Sequence, residues 1–151
     1  MEVQMEMTDG LVFHHLGIVV SDIKVGKNML NNIFGTLEWS DSVVDNNQFV
    51  TVCFGRAYGT DLLYELVAPL NKGSPVDNVL KEQKNVINHT AYKTNEFQKT
   101  CQNLRQVGCV PITRAMPAAA FDNALVIFYL TPLNFIIEVI ENKMMKNVES
   151  D

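Results

Sequence analysis

The chain runs through one order of chemistry twice. His15 and His89 stand 74 residues apart, Gly35 and Gly108 stand 73 apart, and Glu65 and Glu138 are again separated by 73. One single-residue gap in the strand-to-helix segment reconciles the three offsets. A fixed offset of this kind is the mark of a duplicated unit, and duplication constrains a fold more tightly than local propensity does: both copies must adopt one topology and bury one face against the other.

The elements repeat with the markers. Leu11 to Val20 (LVFHHLGIVV) is rich in Val, Ile and Phe and predicts a strand. Ser21 or Asp22 then caps a helix through Phe34, with Ile23, Leu30, Ile33 and Phe34 on one face, and Gly35 ends it in a left-handed position. Strands follow over Leu37–Val44, Gln48–Phe54 and Asp61–Val67, divided by Asp45–Asn47 and Gly55–Thr60 turn chemistry and stopped by Pro69. Ser74, Pro75 and Asp77 predict the N-cap, first position and early acid of a linking helix that ends near Gln83.

The second copy reads as a strand over Val86–Tyr92, a helix over Glu96–Val107 with Phe97, Cys101, Leu104 and Val107 on one face, and strands over Val110–Arg114, Ala124–Leu130 and Asn134–Ile140. The expected fold is α+β: two tandem βαβββ modules forming a curled mixed sheet around a metal-binding cleft. They occupy residues 11–70 and 86–141, with the linker helix at 74–83, in one domain over 11–141. A flexible leader over 1–10 and a flexible tail over 142–151 complete the expectation.

Composition removes several classes of function. With 47% hydrophobic and 19% charged residues the chain has the profile of a packed globule rather than of disorder. Its net charge is −5 and its twelve Lys and Arg residues are scattered, so no basic stripe marks a nucleic-acid partner. No uncharged apolar run reaches the length of a membrane span and the first ten residues are acidic, so a cytoplasmic location is expected. Cys53, Cys101 and Cys109 lack paired spacing and read as reduced thiols.

Duplication about a pseudo-two-fold axis turns equivalent residues toward one another across a cleft. His15 and His89 lie in the first strand of each module; Glu65 and Glu138 lie in the last. Alone, each of these residues reads as well as a hydrogen-bonded or solvent-facing strand residue. In repeated register, two imidazoles and two carboxylates make a ligand set for one divalent ion, whether Zn²⁺, Co²⁺, Ni²⁺, Mn²⁺ or Fe²⁺. His14, which precedes a ligand on a strand, is expected on the opposite face.

The segments FHHLGIVVSDI, YELVAPLNKGSPVDNVL, INHTAY and FIIEVIE resemble the vicinal oxygen chelate superfamily, which includes glyoxalase I, bleomycin resistance proteins, extradiol dioxygenases and methylmalonyl-CoA epimerase. ELVAPLN followed by a serine-proline helix start is most similar to the epimerase branch. The resemblance implies metal ligands at His15, Glu65, His89 and Glu138, a proton-transfer role for Glu138, a small-molecule substrate such as an acyl-CoA or other thioester, and a homodimer. Where that branch supplies a second glutamate base, this chain offers Asn46, Asn47 and Gln48 with Asp45 nearby. Gln48, Phe54, Arg114 and Phe121 are the expected substrate contacts at the cleft mouth. The expected activity is that of a metal-dependent isomerase or lyase, epimerase-like; the alternatives are a glyoxalase I-like lactoylglutathione lyase and a metal-free small-molecule binder of the bleomycin-resistance type.

Overall fold

A computed structural model describes residues 10–84 and 86–143. The first module comprises β1 (Val12–Val19), α1 (Ile23–Phe34), β2 (Glu38–Trp39), β3 (Val43–Asp45), β4 (Val50–Arg56) and β5 (Leu63–Pro69). After α2 (Asp77–Glu82) the second module runs β6 (Ile87–Thr94), α3 (Phe97–Gln106), β7 (Val110–Pro111), β8 (Met116–Ala118), a 3₁₀ turn over Ala119–Phe121, β9 (Ala124–Leu130) and β10 (Ile136–Glu141). All ten strands join one mixed sheet in the order β2-β4-β5-β1-β6-β10-β9-β7, with β3 on β4 and β8 on β9. The expected α+β class and tandem pair of modules are what the chain adopts, each module carrying one more short strand than βαβββ counts.

The order reads the same from either end. β1 pairs β5 in parallel and β6 pairs β10 in parallel, while β1 and β6 meet antiparallel at the centre. The sheet therefore carries a pseudo-two-fold axis between its two middle strands. It curls until β3 meets the 3₁₀ turn: the Ala119 amide donates to Asp45 Oδ2 at 3.1 Å and the Asn47 side-chain amide donates to the Pro117 carbonyl at 3.1 Å. These bonds roof the concave face.

The helices α1 and α3 cover the convex face. Asp22 caps α1 by accepting from the Val25 amide at 3.0 Å. Leu30 packs with Leu37 and Leu66, joined by Ile23 and Trp39. Ile33 and Phe34, expected on that face, are exposed; the Phe34 ring stacks on Tyr64 instead. In α3, Phe97, Cys101 and Leu104 pack on Cys109, Ile127, Tyr129, Ile137 and Val139 as expected, whereas Val107 lies beyond the helix and is exposed. Gly35 and Gly108 follow the two helices with φ of 86° and 95°, conformations that glycine adopts without strain. Gly35 has ψ of 169°, so only its φ is that of the left-handed position.

Several expected boundaries move. The strand expected over Leu37–Val44 breaks at Ser40, whose hydroxyl accepts from the Phe54 amide at 2.9 Å and interrupts the ladder. The strand expected over Val110–Arg114 shortens to two residues for the same reason: Thr113 Oγ1 accepts from the Phe128 amide at 3.1 Å. β4 begins two residues late because Asp45 Oδ1 accepts from the Asn47 and Gln48 amides and folds residues 46–49 into a turn. Pro69 closes β5 from within rather than stopping it from outside. The linking helix begins at Asp77, not Ser74. The Ser74 hydroxyl is buried without a hydrogen-bond partner, and the Asp77 carboxylate reaches back to the Gly73 amide at 2.7 Å. The strand β8 has no counterpart among the expected elements.

Residues 1–9 of the expected leader and 144–151 of the expected tail lie outside the described residues. Asn142 is tied down, its amide donating to the Thr94 carbonyl and its side chain to Asn95. The three cysteines are free thiols.

Candidate metal centre

Cross-strand register assembles the site in two rows. Gly17 pairs with Glu65 on one side and His89 on the other; Ala91 pairs with His15 on one side and Glu138 on the other. Residues aligned across neighbouring strands share a face, and positions two apart along a strand do as well, so all four polar side chains rise from the concave face. Each row has a small residue in the middle. A Cβ added at Gly17 would lie inside van der Waals contact of the His89 ring, so only glycine leaves that imidazole its place.

The four donors converge. His15 Nε2 lies 3.2 Å from His89 Nε2, 3.5 Å from Glu65 Oε1 and 3.3 Å from Glu138 Oε1; His89 Nε2 lies 3.4 Å and 3.6 Å from the same two oxygens. All four residues are at most 5% exposed. His15, Glu65 and His89 offer ligand atoms within 4.8 Å of one another, and Glu138 completes the group by its distances to both imidazoles. Donor atoms about 2.0–2.2 Å from a common ion stand roughly 3.0–3.5 Å apart when adjacent, which is the spacing found. Glu138 Oε1 is buried and has no hydrogen-bond partner. A buried carboxylate oxygen left without a donor is costly, and a cation is what would satisfy it. The residues present thus suit a divalent ion.

Electrostatics without an ion points the same way. Burial pushes the His15 imidazole down, but the negative charge of Glu65, with the Glu138 carboxylate adding to it, overcomes this and holds the pKa up at about 9. For Glu65, burial raises the pKa, and the opposing His15 charge with hydrogen bonds from both imidazoles brings it down to about 2. The pair therefore keeps one positive charge where a cation would otherwise sit.

His14 departs from expectation. The β1–β6 register slips at this residue, a bulge that turns its ring into the concave side, where its Nδ1 meets His15 Nδ1 at 2.8 Å. Burial, then the His15 charge, holds its pKa down at about 4. Asn88 occupies the same place before His89, its Oδ1 2.9 Å from His89 Nδ1. Reasoning from sequence missed both residues together with Gly17 and Ala91; the signal was a histidine followed two residues on by Gly or Ala, once in each copy.

A cleft of about 410 Å³ opens beside Glu65, His89 and Glu138. Its walls are mostly apolar, with Val52, Val67, Val76, Phe121 and Phe128 among them, and among the described residues no Lys or Arg lines it. Of the expected substrate contacts, Gln48 and Phe121 line this cleft. Phe121 stacks on the His15 ring with centroids 6.0 Å apart, and the Gln48 amide donates to Asp45 Oδ2 at 3.3 Å. Phe54 stands edge-on to His15 at 5.3 Å and lines a second cavity of about 650 Å³ with His14 and Lys93. Arg114 is not brought to the site: Thr113 bonds back to β9, and the exposed Arg114 falls in a groove beside Phe97, Cys101 and Arg105. Asp45, the nearest acid to the missing second base, has both oxygens engaged by the amides of Asn47, Gln48 and Ala119 and the Gln48 side chain.

The family model of the glyoxalase/bleomycin resistance protein/dioxygenase superfamily matches residues 14–128. Among solved structures, methylmalonyl-CoA epimerase from Mycobacterium tuberculosis is 20% identical with a TM-score of 0.72, over 96% of this chain and 97% of that one. A hypothetical protein from Bacillus halodurans C-125 is 23% identical with a TM-score of 0.72, over 88% and 95%. A Streptomyces coelicolor methylmalonyl-CoA epimerase in complex with 2-nitronate-propionyl-CoA is 18% identical with a TM-score of 0.70, over 88% and 99%. No curated protein matches the chain. At these identities the likenesses speak for the fold, and with a family model spanning three quarters of its length the chain belongs to the glyoxalase/bleomycin resistance protein/dioxygenase superfamily.

Proposed function

We propose that this chain is a divalent-metal-dependent isomerase or lyase that moves a proton next to the carbonyl of a small acyl thioester or 2-oxo or 2-hydroxy acid. The observation that carries the reading is the convergence of His15, Glu65, His89 and Glu138 around an orphaned, buried Glu138 oxygen at the wall of an apolar cleft. A divalent ion held by these residues supplies the Lewis acidity that lowers the cost of negative charge on a carbonyl oxygen. Glu138 takes up and returns the proton, within reach of a carbon lodged in the cleft. The apolar walls exclude water and so strengthen each charge interaction at the site. Phe121, stacked on His15, fixes one side of the space in which the substrate lies.

Methylmalonyl-CoA epimerase-like chemistry is the leading model, in keeping with the solved relatives. A glyoxalase I-like lactoylglutathione lyase is the second reading, and one observation favours it. Asp45, Glu65 and Glu138 are the carboxylates lining the cleft, and Asp45 is saturated, so a two-base exchange has only Glu65 and Glu138 to use. A cleft without Lys or Arg also favours an apolar substrate body over phosphates within it. Deuterium exchange at the α-carbon of an acyl-CoA, set against conversion of a hemithioacetal, separates the two.

The metal is tested first. Protein offered Co²⁺, Ni²⁺, Mn²⁺ and Zn²⁺ and then desalted is expected to keep about one ion per chain by elemental analysis, and His89→Ala to keep none. Wild-type protein that retains none of them returns the chain to the metal-free binding reading. The homodimer belongs to this proposal too, and sedimentation at the 17.0 kDa of one chain would remove it.

A further inference from the structure

The residue before each ligating histidine would ordinarily point to the opposite face of its strand. In this protein neither does. The β1–β6 pairing runs Phe13 to Tyr92 and then His15 to Ala91, which leaves His14 as the extra residue; it runs Gly17 to His89 and then Ile18 to Ile87, which leaves Asn88 as the extra residue. Two bulges, one in each copy of the duplicated unit, thus fall immediately before the two ligands. A bulge re-aims a side chain at the cost of local ladder bonds, and here both re-aimed side chains reach the same atom of the imidazole that follows. His14 Nδ1 lies 2.8 Å from His15 Nδ1, and Asn88 Oδ1 lies 2.9 Å from His89 Nδ1.

We infer that His14 and Asn88 are positioning residues, each holding the Nδ1–H of the histidine after it so that both Nε2 atoms face one centre. An amide oxygen only accepts, so the hydrogen between Asn88 and His89 belongs to His89 Nδ1, and neutral His89 presents its lone pair at Nε2. His14 does the equivalent with a different group: with its own proton on Nε2, it accepts at Nδ1 from His15. The two Nε2 atoms then stand 3.2 Å apart with both carboxylates beside them. An outer partner on a ligating imidazole fixes its tautomer and ring orientation and raises its basicity. The chain reaches this arrangement twice with unlike residues, His in one copy and Asn in the other.

The inference rests on the metal-centre reading, and its test keeps the two apart. The chain has three histidines, so ¹⁵N spectra of the imidazoles are resolvable in full. In metal-free protein His89 is expected to carry its hydrogen on Nδ1 and His14 to show an unprotonated, accepting Nδ1. In Co²⁺ titrations followed by visible absorption, Asn88→Ala and His14→Ala are expected to bind about 10- to 100-fold more weakly than wild type at unchanged circular dichroism. Asn88→Asp and His14→Asn, which restore an acceptor, are expected to recover most of that loss, as a purely structural role would not require. Alanine variants that bind Co²⁺ like wild type, or a His89 hydrogen on Nε2, overturn the inference. Wild-type protein that takes up no Co²⁺ overturns the metal reading instead, and the His89 and His14 spectra then decide this one by themselves.

Discussion

Gly17 shows how much of the site depends on a side chain that is missing. The His89 ring fills the space that a Cβ at Gly17 would take, so Gly17→Val must push the imidazole off the centre. The expected outcome is a folded protein that loses its metal, checked by elemental analysis beside circular dichroism. Charge at the same site sets a pH dependence for metal-free protein. His15, with its pKa raised from 6.5 to about 9, contributes stability that is fully present below 6.5 and lost as pH rises through 9; Glu65, lowered from 4.5 to about 2, contributes stability present above 4.5 and lost as pH falls through 2. His14, lowered from 6.5 to about 4, contributes stability present above 6.5 and lost as pH falls through 4, so metal-free protein is expected to melt highest near pH 6.5 and progressively lower toward pH 9 and toward pH 4. The convergence of His15, Glu65, His89 and Glu138 was legible in the sequence because duplication placed them in register. His14 was not, because alternation along a strand sends it to the wrong face, and a bulge is a property of two paired strands rather than of either one.

At the scale of elements, the copies share devices that their residue identities conceal. Ser40 and Thr113 each turn a hydroxyl onto a β-strand amide and cut short the strand that precedes them, which is why one long strand expected there is divided and the other shortened. Strand propensity carries no record of that competition, and for the same reason β8 was unforeseen: Met116–Ala118 has little strand character and is held by pairing with β9. α1 and α3 were legible, since their inward residues recur at helical spacing, whereas the start of α2 was misplaced because Ser74 has the sequence of a cap without the bond. Across the roof, Asp45 accepts four hydrogen bonds, three from Asn47 and Gln48 of its own turn and one from the Ala119 amide that joins one module to the other. Asp45→Ala leaves part-buried amides and the tie to Ala119 without their acceptor and is expected to cost ~1–3 kcal/mol in denaturant unfolding. A smaller loss than about 1 kcal/mol would mean that water replaces the carboxylate and the roof is not held by it.

For the whole molecule, the candidate metal centre draws two residues from each half, so an ion bound there would tie the halves together. An ion present at about a hundred times its dissociation constant adds ~2.7 kcal/mol to folding stability, or roughly 5–10 °C in Tm for a chain of this size. Calorimetry with and without chelator measures it, and an unchanged Tm would separate the site from the fold. Among the described residues no helix is long and apolar enough to cross a membrane. The two-fold order of the sheet was foreseeable from the offsets; what fills the space on either side of its axis was not, because walls come from residues that the duplication has let diverge. One end is faced by valines and phenylalanines, the other by Arg56, Lys93 and Lys143 with Glu38 and Asp122. A cage that looks nearly alike after half a turn has no front or back of its own. Direction is conferred by its surroundings, so exchanges in those linings can redirect which molecules are admitted, and from which side, while the cage itself stays as it is.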